Sequence, residues 1–124
     1  MYNRAEVVDK NFQKLVMRPS ELPEARSHTG LAESGLSGAE FMDLFETRIM
    51  SRQMDLRARI LKNQSECYYT IGSAGHEGNA VWGKAFRLTD MAFVHYRSCA
   101  FMIQRAKQVP GSTPLYDTML SFVA

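Results

Sequence analysis

The chain is 124 residues long, 45% hydrophobic and 23% charged, with a formal net charge of +2. That is one domain at most, of ordinary globular composition, and too weakly charged to mark a nucleic-acid surface. No signal peptide is visible and the longest uncharged apolar runs fall far short of a membrane span, so the sequence predicts a soluble, cytoplasmic chain without membrane contact. Its two cysteines, Cys67 and Cys99, lie far apart with neither CxxC nor metal spacing, and read as reduced, buried or semi-buried thiols. The three histidines, His28, His76 and His95, share no helical ligand spacing, which argues against a metal site built on them.

Over residues 4–17, Val7, Val8, Phe12, Leu15 and Val16 recur at helical intervals and predict an amphipathic first helix, which Pro19 stops. Residues 18–36 are polar and broken by Pro19, Pro23, Gly30 and Gly35, the pattern of a linker or draped arm. Residues 1–36 are therefore predicted as an N-terminal helix and arm, and residues 37–124 as a domain. Ser37-Gly38-Ala39-Glu40 has the capping-box form, with Ser as N-cap and Glu three residues on. Phe41, Leu44, Phe45, Ile49, Leu56 and Ile60 then form one apolar stripe, widened by Met50, Met54 and Leu61. They predict a helix of about 25 residues, buried on more than one side. Arg48, Arg52, Arg57, Arg59 and Lys62, interrupted by Asp55, read as its solvated face.

The chain turns over residues 63–69, and Cys67-Tyr68-Tyr69-Thr70-Ile71 is short and β-prone. Gly72-Ser73-Ala74-Gly75 is built of small residues that permit close backbone approach, to a ligand or to a neighbouring helix. A helix is predicted over residues 76–86, then a buried parallel strand at Met91-Ala92-Phe93-Val94, bounded by Asp90 and Tyr96-Arg97. A further helix covers residues 98–107, Pro110-Gly111 makes a turn, and a last helix runs from residue 115. A strand between helices predicts an α/β fold. An arginine at the carboxyl end of a strand, at the entry to a helix, is where α/β sheets commonly hold phosphate. Tyr96 and Arg97 are therefore candidate binding residues, although the dipeptide alone also reads as a surface strand end with a solvated arginine. Glu77 lies in a first helical turn, where the macrodipole favours a carboxylate by about 0.3–1 kcal/mol; capping and subunit contact explain it without catalysis. His95 reads as a buried structural histidine. The last helix reaches Ala124 without a C-cap, so the chain is expected to be part of something longer.

Arg52-Gln53-Met54-Asp55 in a long helix, Gly75-His76-Glu77-Gly78 opening the next one, Asp90 before an apolar run, and Tyr96-Arg97 after it form an ordered set. In this order and spacing, residues 41–124 resemble the start of the E1 component, α-subunit type, of thiamine-diphosphate-dependent 2-oxo acid dehydrogenases. These are the decarboxylating enzymes of the pyruvate and branched-chain 2-oxo acid dehydrogenase complexes. The resemblance implies the N-terminal part of a thiamine-diphosphate-binding fold, helices around a parallel sheet. It implies oxidative decarboxylation of a 2-oxo acid with acyl transfer to lipoyl groups.

By the same resemblance Arg97 pairs with the cofactor's diphosphate, using charge and a bidentate fork together. Tyr96 presents its hydroxyl while its ring walls the pocket, and Tyr69 lines the substrate side-chain pocket. The partners implied are an E1 β-type subunit or domain, a lipoyl-bearing E2 acyltransferase and a small 2-oxo acid, in a homo- or hetero-oligomer. The glutamate that activates the aminopyrimidine belongs to the β-type part, so the chain itself carries no catalytic residue. The family's Gly-Asp-Gly motif is absent, which puts the magnesium ligands outside these residues. The isolated chain is expected to be inactive and not to bind the cofactor measurably. Three departures stand out: Gly78 in place of the commoner Ala, Arg105-Ala106 where a Gly is usual, and 36 N-terminal residues without a counterpart.

Two other readings remain open. A non-catalytic helical interaction module would present the long helix to a partner, and would lack a strand at residues 91–94. A transketolase-like thiamine enzyme acting on sugar phosphates would gather several histidines at its site, where this chain has His76 and His95.

Overall fold

Ser37 closes its capping box as its spacing predicts. In the structure, a computed structural model, its Oγ accepts from the Glu40 N–H at 3.2 Å and its N–H donates to Glu40 Oε2 at 3.0 Å. The structure describes residues 3–18, 20, 30–68 and 72–124. The chain divides into two units, Met1–Ser34 and Gly35–Ala124. In the first, α1 (Arg4–Val16) forms where the apolar periodicity predicts it, with a Lys10–Glu6 ion pair at 2.6 Å one turn apart. The short α2 (Leu31–Ser34) closes with the Ser34 hydroxyl donating to the Leu31 carbonyl at 2.6 Å. Most of the predicted linker lies outside the described residues.

The second unit is organised on α3 (Gly38–Asn63), 26 residues long. Lys84 reaches Glu40 at 3.1 Å. The Ser37 N–H, the Ser37 hydroxyl and Lys84 together hold the Glu40 carboxyl down at about 2. A 3₁₀ turn at Glu77–Asn79 runs into α4 (Ala80–Ala85), followed by α5 (Cys99–Ala106) and α6 (Pro114–Val123). Proline suits the first turn of α6, where its missing N–H has no helical partner to lose.

Leu44, Ala80 and Ala100 form the centre of the core, with Leu36 packed against them. Helices α4 and α5 cross closely because Gly83 has no side chain. A Cβ there would stand 2.5 Å from the Phe101 carbonyl oxygen and 2.9 Å from Gln104 Cβ. Phe86 and Phe101 meet edge to face beside the crossing, with centroids 5.7 Å apart. Between α3 and α5 the contact is polar. Buried Thr47 donates to Gln104 Oε1 at 2.5 Å, and Gln104 donates to Asp43 Oδ2 at 2.6 Å. Lys107 then bridges Asp43 at 2.9 Å and Glu46 at 2.8 Å. The Lys107 bond holds the Asp43 carboxyl below its ordinary range against the pull of burial. Burial works against the Lys107 ammonium, but the Glu46 and Asp43 carboxylates outweigh it and raise its pKa.

Two expectations are corrected. The α/β fold with a parallel sheet is not what forms: the unit is helical, and no strand occurs among the described residues. Residues 91–95 are irregular and lie on the surface, with Met91 83% and Phe93 98% exposed. A strand exists only through ladder bonds to a neighbour, and this segment is fixed at its ends instead. The Arg105 guanidinium takes the Leu88 and Asp90 carbonyls at 2.8 and 2.5 Å, the Asp90 carboxylate takes the Arg87 N–H, and Ser98 Oγ takes the His95 N–H.

The second correction concerns the face of α3. Leu44 and Met54 are buried as predicted, but Phe41, Phe45, Ile49 and Ile60 are exposed. The inward register is Leu44, Thr47, Ser51, Met54, Asp55 and Ala58. Small residues on α4 and α5 bring those helices close to α3, and close approach selects Thr, Ser and Ala over Phe. No described helix is long and apolar enough to cross a membrane.

Candidate functional site

The loop at Gly72–Gly75 is held by two side chains from distant parts of the sequence. Asp55, buried on the inward register of α3, accepts the Ser73 N–H on Oδ2 at 2.7 Å. Arg97 donates from Nε to the Gly72 carbonyl at 3.2 Å and from Nη2 to the Ala74 carbonyl at 2.9 Å. Gly72 makes the approach possible, since a Cβ there would lie 3.2 Å from Asp55 Oδ2. The loop leaves through Gly75 at φ +87°, a left-handed conformation that favours glycine. Glu77 accepts the Gly75 N–H at 2.8 Å, a bond that closes the loop ahead of the 3₁₀ turn.

Tyr96 and Arg97 form a turn ahead of α5. The Arg97 N–H donates to His95 Nδ1 at 3.1 Å, which places the proton of the neutral imidazole on Nε2. The His95 ring stands edge-on to His76 with centroids 5.4 Å apart, and 5.6 Å from Tyr96. His95 is thus an exposed residue on a turn and not the buried histidine expected.

These groups border a cavity of about 520 Å³, within the ordinary size range of small-molecule sites. Asp55, Gly72, Ser73, His95 and Tyr96 contribute to its wall, and Met54, Cys99, Met102 and Phe122 supply much of the apolar part. Burial pushes the Cys99 thiol above its ordinary range; the nearby Asp55 carboxylate adds to the rise and the Ser51 hydroxyl opposes it. The sulfur is therefore a protonated wall atom and a poor nucleophile.

The predicted site residues fare differently. Tyr96 lines the cavity, with 68% of its surface exposed. Arg97 is half-buried and not part of the wall; its contacts are with the loop behind it. Tyr69 lies outside the described residues. Sequence reasoning placed Asp55 in a motif without assigning it a role, and it missed Ser73 and Cys99. A lone carboxylate at helical spacing from Thr47, Ser51 and Ala58 was the available signal, because small and polar residues in one register mark a tightly packed face.

Backbone donors of the loop are already used. The Ser73, Gly75 and His76 N–H groups already go to Asp55, Glu77 and the Ser73 carbonyl. Arg97 has two of its five N–H groups committed to the loop, and His76 and His95 stand nearby. Among the described residues no three His, Cys, Asp or Glu side chains gather as a cation site. No protein-family model, curated protein or solved structure matches the chain.

Proposed function

We propose that the chain is the N-terminal, α-type part of a thiamine-diphosphate-dependent E1 component of a 2-oxo acid dehydrogenase. The observation that carries this reading is convergence. Three of the four segments on which the resemblance rests are far apart in sequence, yet they are joined through one loop beside one cavity. Asp55 of the Arg52–Asp55 segment and Arg97 of the Tyr-Arg pair both bind the loop that leads into Gly75–Gly78.

On this reading, thiamine diphosphate supplies the carbon–carbon cleavage chemistry when bound. The chain's own residues bind and orient. Arg97 offers its remaining N–H groups to a phosphate oxygen while its bonds to Gly72 and Ala74 keep the guanidinium from swinging away. Tyr96 brings a hydroxyl and a ring to the cavity wall, and Tyr69 serves the substrate side chain. The magnesium ligands come from a Gly-Asp-Gly motif outside these residues, the activating glutamate from a β-type subunit or domain, and the lipoyl group from an E2 acyltransferase.

The helical-module reading is favoured by one specific observation: residues 91–96 form no strand and expose Met91, Phe93 and Tyr96. Under it, Arg97 only staples a loop. Titration separates the two. In a complete E1 complex that also supplies the Gly-Asp-Gly motif and the β-type subunit, the chain is expected to bind thiamine diphosphate with magnesium and to support decarboxylation of a 2-oxo acid, with no turnover of sugar phosphates. Absence of cofactor binding by that complex overturns the E1 reading, and turnover of sugar phosphates alone replaces it with the transketolase-like one.

A further inference from the structure

The cavity beside the loop has an apolar wall that phosphate binding does not use. Met54 and Ala58, one turn apart on α3, are buried; Met102 of α5 is 48% exposed and Phe122 of α6 is half-buried. Three helices therefore bring two thioethers, a phenyl ring and a methyl group to one wall. The protonated Cys99 thiol adds another small apolar group. The hydroxyls that α6 contributes offer no donor to the cavity. Thr118 donates to the Pro114 carbonyl at 2.6 Å and Ser121 to the Thr118 carbonyl at 2.7 Å.

Burial separates a floor from a rim. Met54 and Ala58 form the floor, whereas His95 and Tyr96 are exposed. The donors at the rim are the Tyr96 hydroxyl and the His95 Nε2–H, since His95 Nδ1 accepts the Arg97 N–H. Asp55 also borders the cavity, but its carboxylate is turned to the Ser73 N–H under the loop. Like charge keeps a second carboxylate from that side.

We propose that this cavity binds a small carboxylic acid bearing an aromatic ring, the ring against Met54, Met102 and Phe122 and the carboxylate toward Tyr96 and His95. Thioether sulfurs and a phenyl ring both favour the edge of an aromatic guest. A ring also fills apolar space that the methyl group of pyruvate leaves empty, and empty space forfeits its contacts. Arg97 lies outside the wall, so a phosphate held there does not compete with the ring. That this ligand is the 2-oxo acid substrate rests on the E1 reading; its binding rests on the cavity alone.

The test is carbon-13 NMR of the methionine methyl groups of the 124-residue chain, titrated with phenylpyruvate, pyruvate and thiamine. Phenylpyruvate should shift Met54 and Met102 but not the exposed Met42 and Met91. Half-saturation is expected near about 1 mM, ordinary for a ligand of about twelve non-hydrogen atoms. Pyruvate at about 10 mM and thiamine should leave Met54 and Met102 unmoved. Ala58→Leu should block the floor and abolish the shift at Met54. Met102→Ala, at a half-exposed position that spares the fold, should weaken binding by roughly threefold to tenfold. Met54 and Met102 unmoved by phenylpyruvate, or moved equally by pyruvate or thiamine, overturns the proposal, as does parent-like binding by Met102→Ala. A complete E1 complex that decarboxylates pyruvate while these methyl groups stay still leaves the E1 reading standing and overturns the aromatic site. Selective shifts in a chain whose complex binds no thiamine diphosphate uphold the site and remove the E1 reading.

Discussion

Asp55 and Arg97 act on one loop through its two kinds of polar group: the carboxylate takes the Ser73 N–H, and the guanidinium takes the Gly72 and Ala74 carbonyls. A loop pinned in both ways cannot drift without breaking a charge-assisted bond. The wall of the cavity is set by the long helix on one hand and by the turn before α5 on the other. The consequences of removing either anchor differ.

Asp55→Ala leaves the Ser73 N–H without its acceptor in a buried place. The expected cost is about 1–3 kcal/mol, read as a lower urea midpoint with an unchanged slope. Asp55→Asn retains an oxygen and should lose less. Amide exchange at Ser73 should accelerate in the Ala variant before any change on α6; equal protection in parent and variant would show that the bond does not hold the loop.

Arg97→Ala, in the complete E1 complex, should lower thiamine diphosphate affinity by about tenfold to a hundredfold, since a lost charged hydrogen bond is worth about 1.5–3 kcal/mol. Arg97→Lys should fall between, because a point charge cannot serve the loop carbonyls and a phosphate together. Tyr69→Ala should instead change the preference among straight and branched 2-oxo acids while cofactor affinity stays near the parent's. Parent-like cofactor affinity in Arg97→Ala would remove the arginine from the binding site.

Gly83→Ala and Gly78→Ala form a matched pair. At Gly83 the new methyl meets the Phe101 carbonyl, so α4 and α5 must separate, at a cost of about 1–3 kcal/mol. At Gly78 nothing lies within 4 Å of the added carbon, and the change should stay within about 0.5 kcal/mol of the parent. Thermal unfolding should then show a drop of several degrees for the first and almost none for the second. Equal midpoints would contradict the close crossing.

Glu40 provides the pH prediction. Its folded pKa of about 2 lies below the ordinary carboxylate range, so its contribution to stability is complete above that range. It is lost as the pH falls through that range toward 2. Ser37→Ala removes the hydroxyl that the Glu40 carboxylate accepts from at 2.9 Å, together with the N-cap. Urea midpoints of parent and variant, measured from neutral pH downward, should converge as the pH falls below about 4.3. A gap that stays constant down to pH 2 would mean the carboxylate plays no part in the cap.

Local chemistry made much of this structure legible. The Ser37 capping box, the periodicity of α1 and the existence of helices after Gly75, after Ser98 and near the end of the chain are each decided within a few residues. Tyr96, read as the end of a strand, lies instead in the turn ahead of α5. Tertiary structure decided the rest. Whether Met91–Val94 is a strand depends on a neighbour to bond with, and the same four apolar residues serve equally as a surface segment tied at Asp90 and Ser98. Which side of α3 faces inward depends on how closely α4 and α5 approach. Hydrophobic periodicity selected Phe45 and Ile49, whereas the helix crossing at Gly83 and the small residues Ala80 and Ala100 set Thr47, Ser51 and Asp55 inside. Arg97's bonds to Gly72 and Ala74 span more than twenty residues, and no local preference specifies a contact that exists only after both ends are packed.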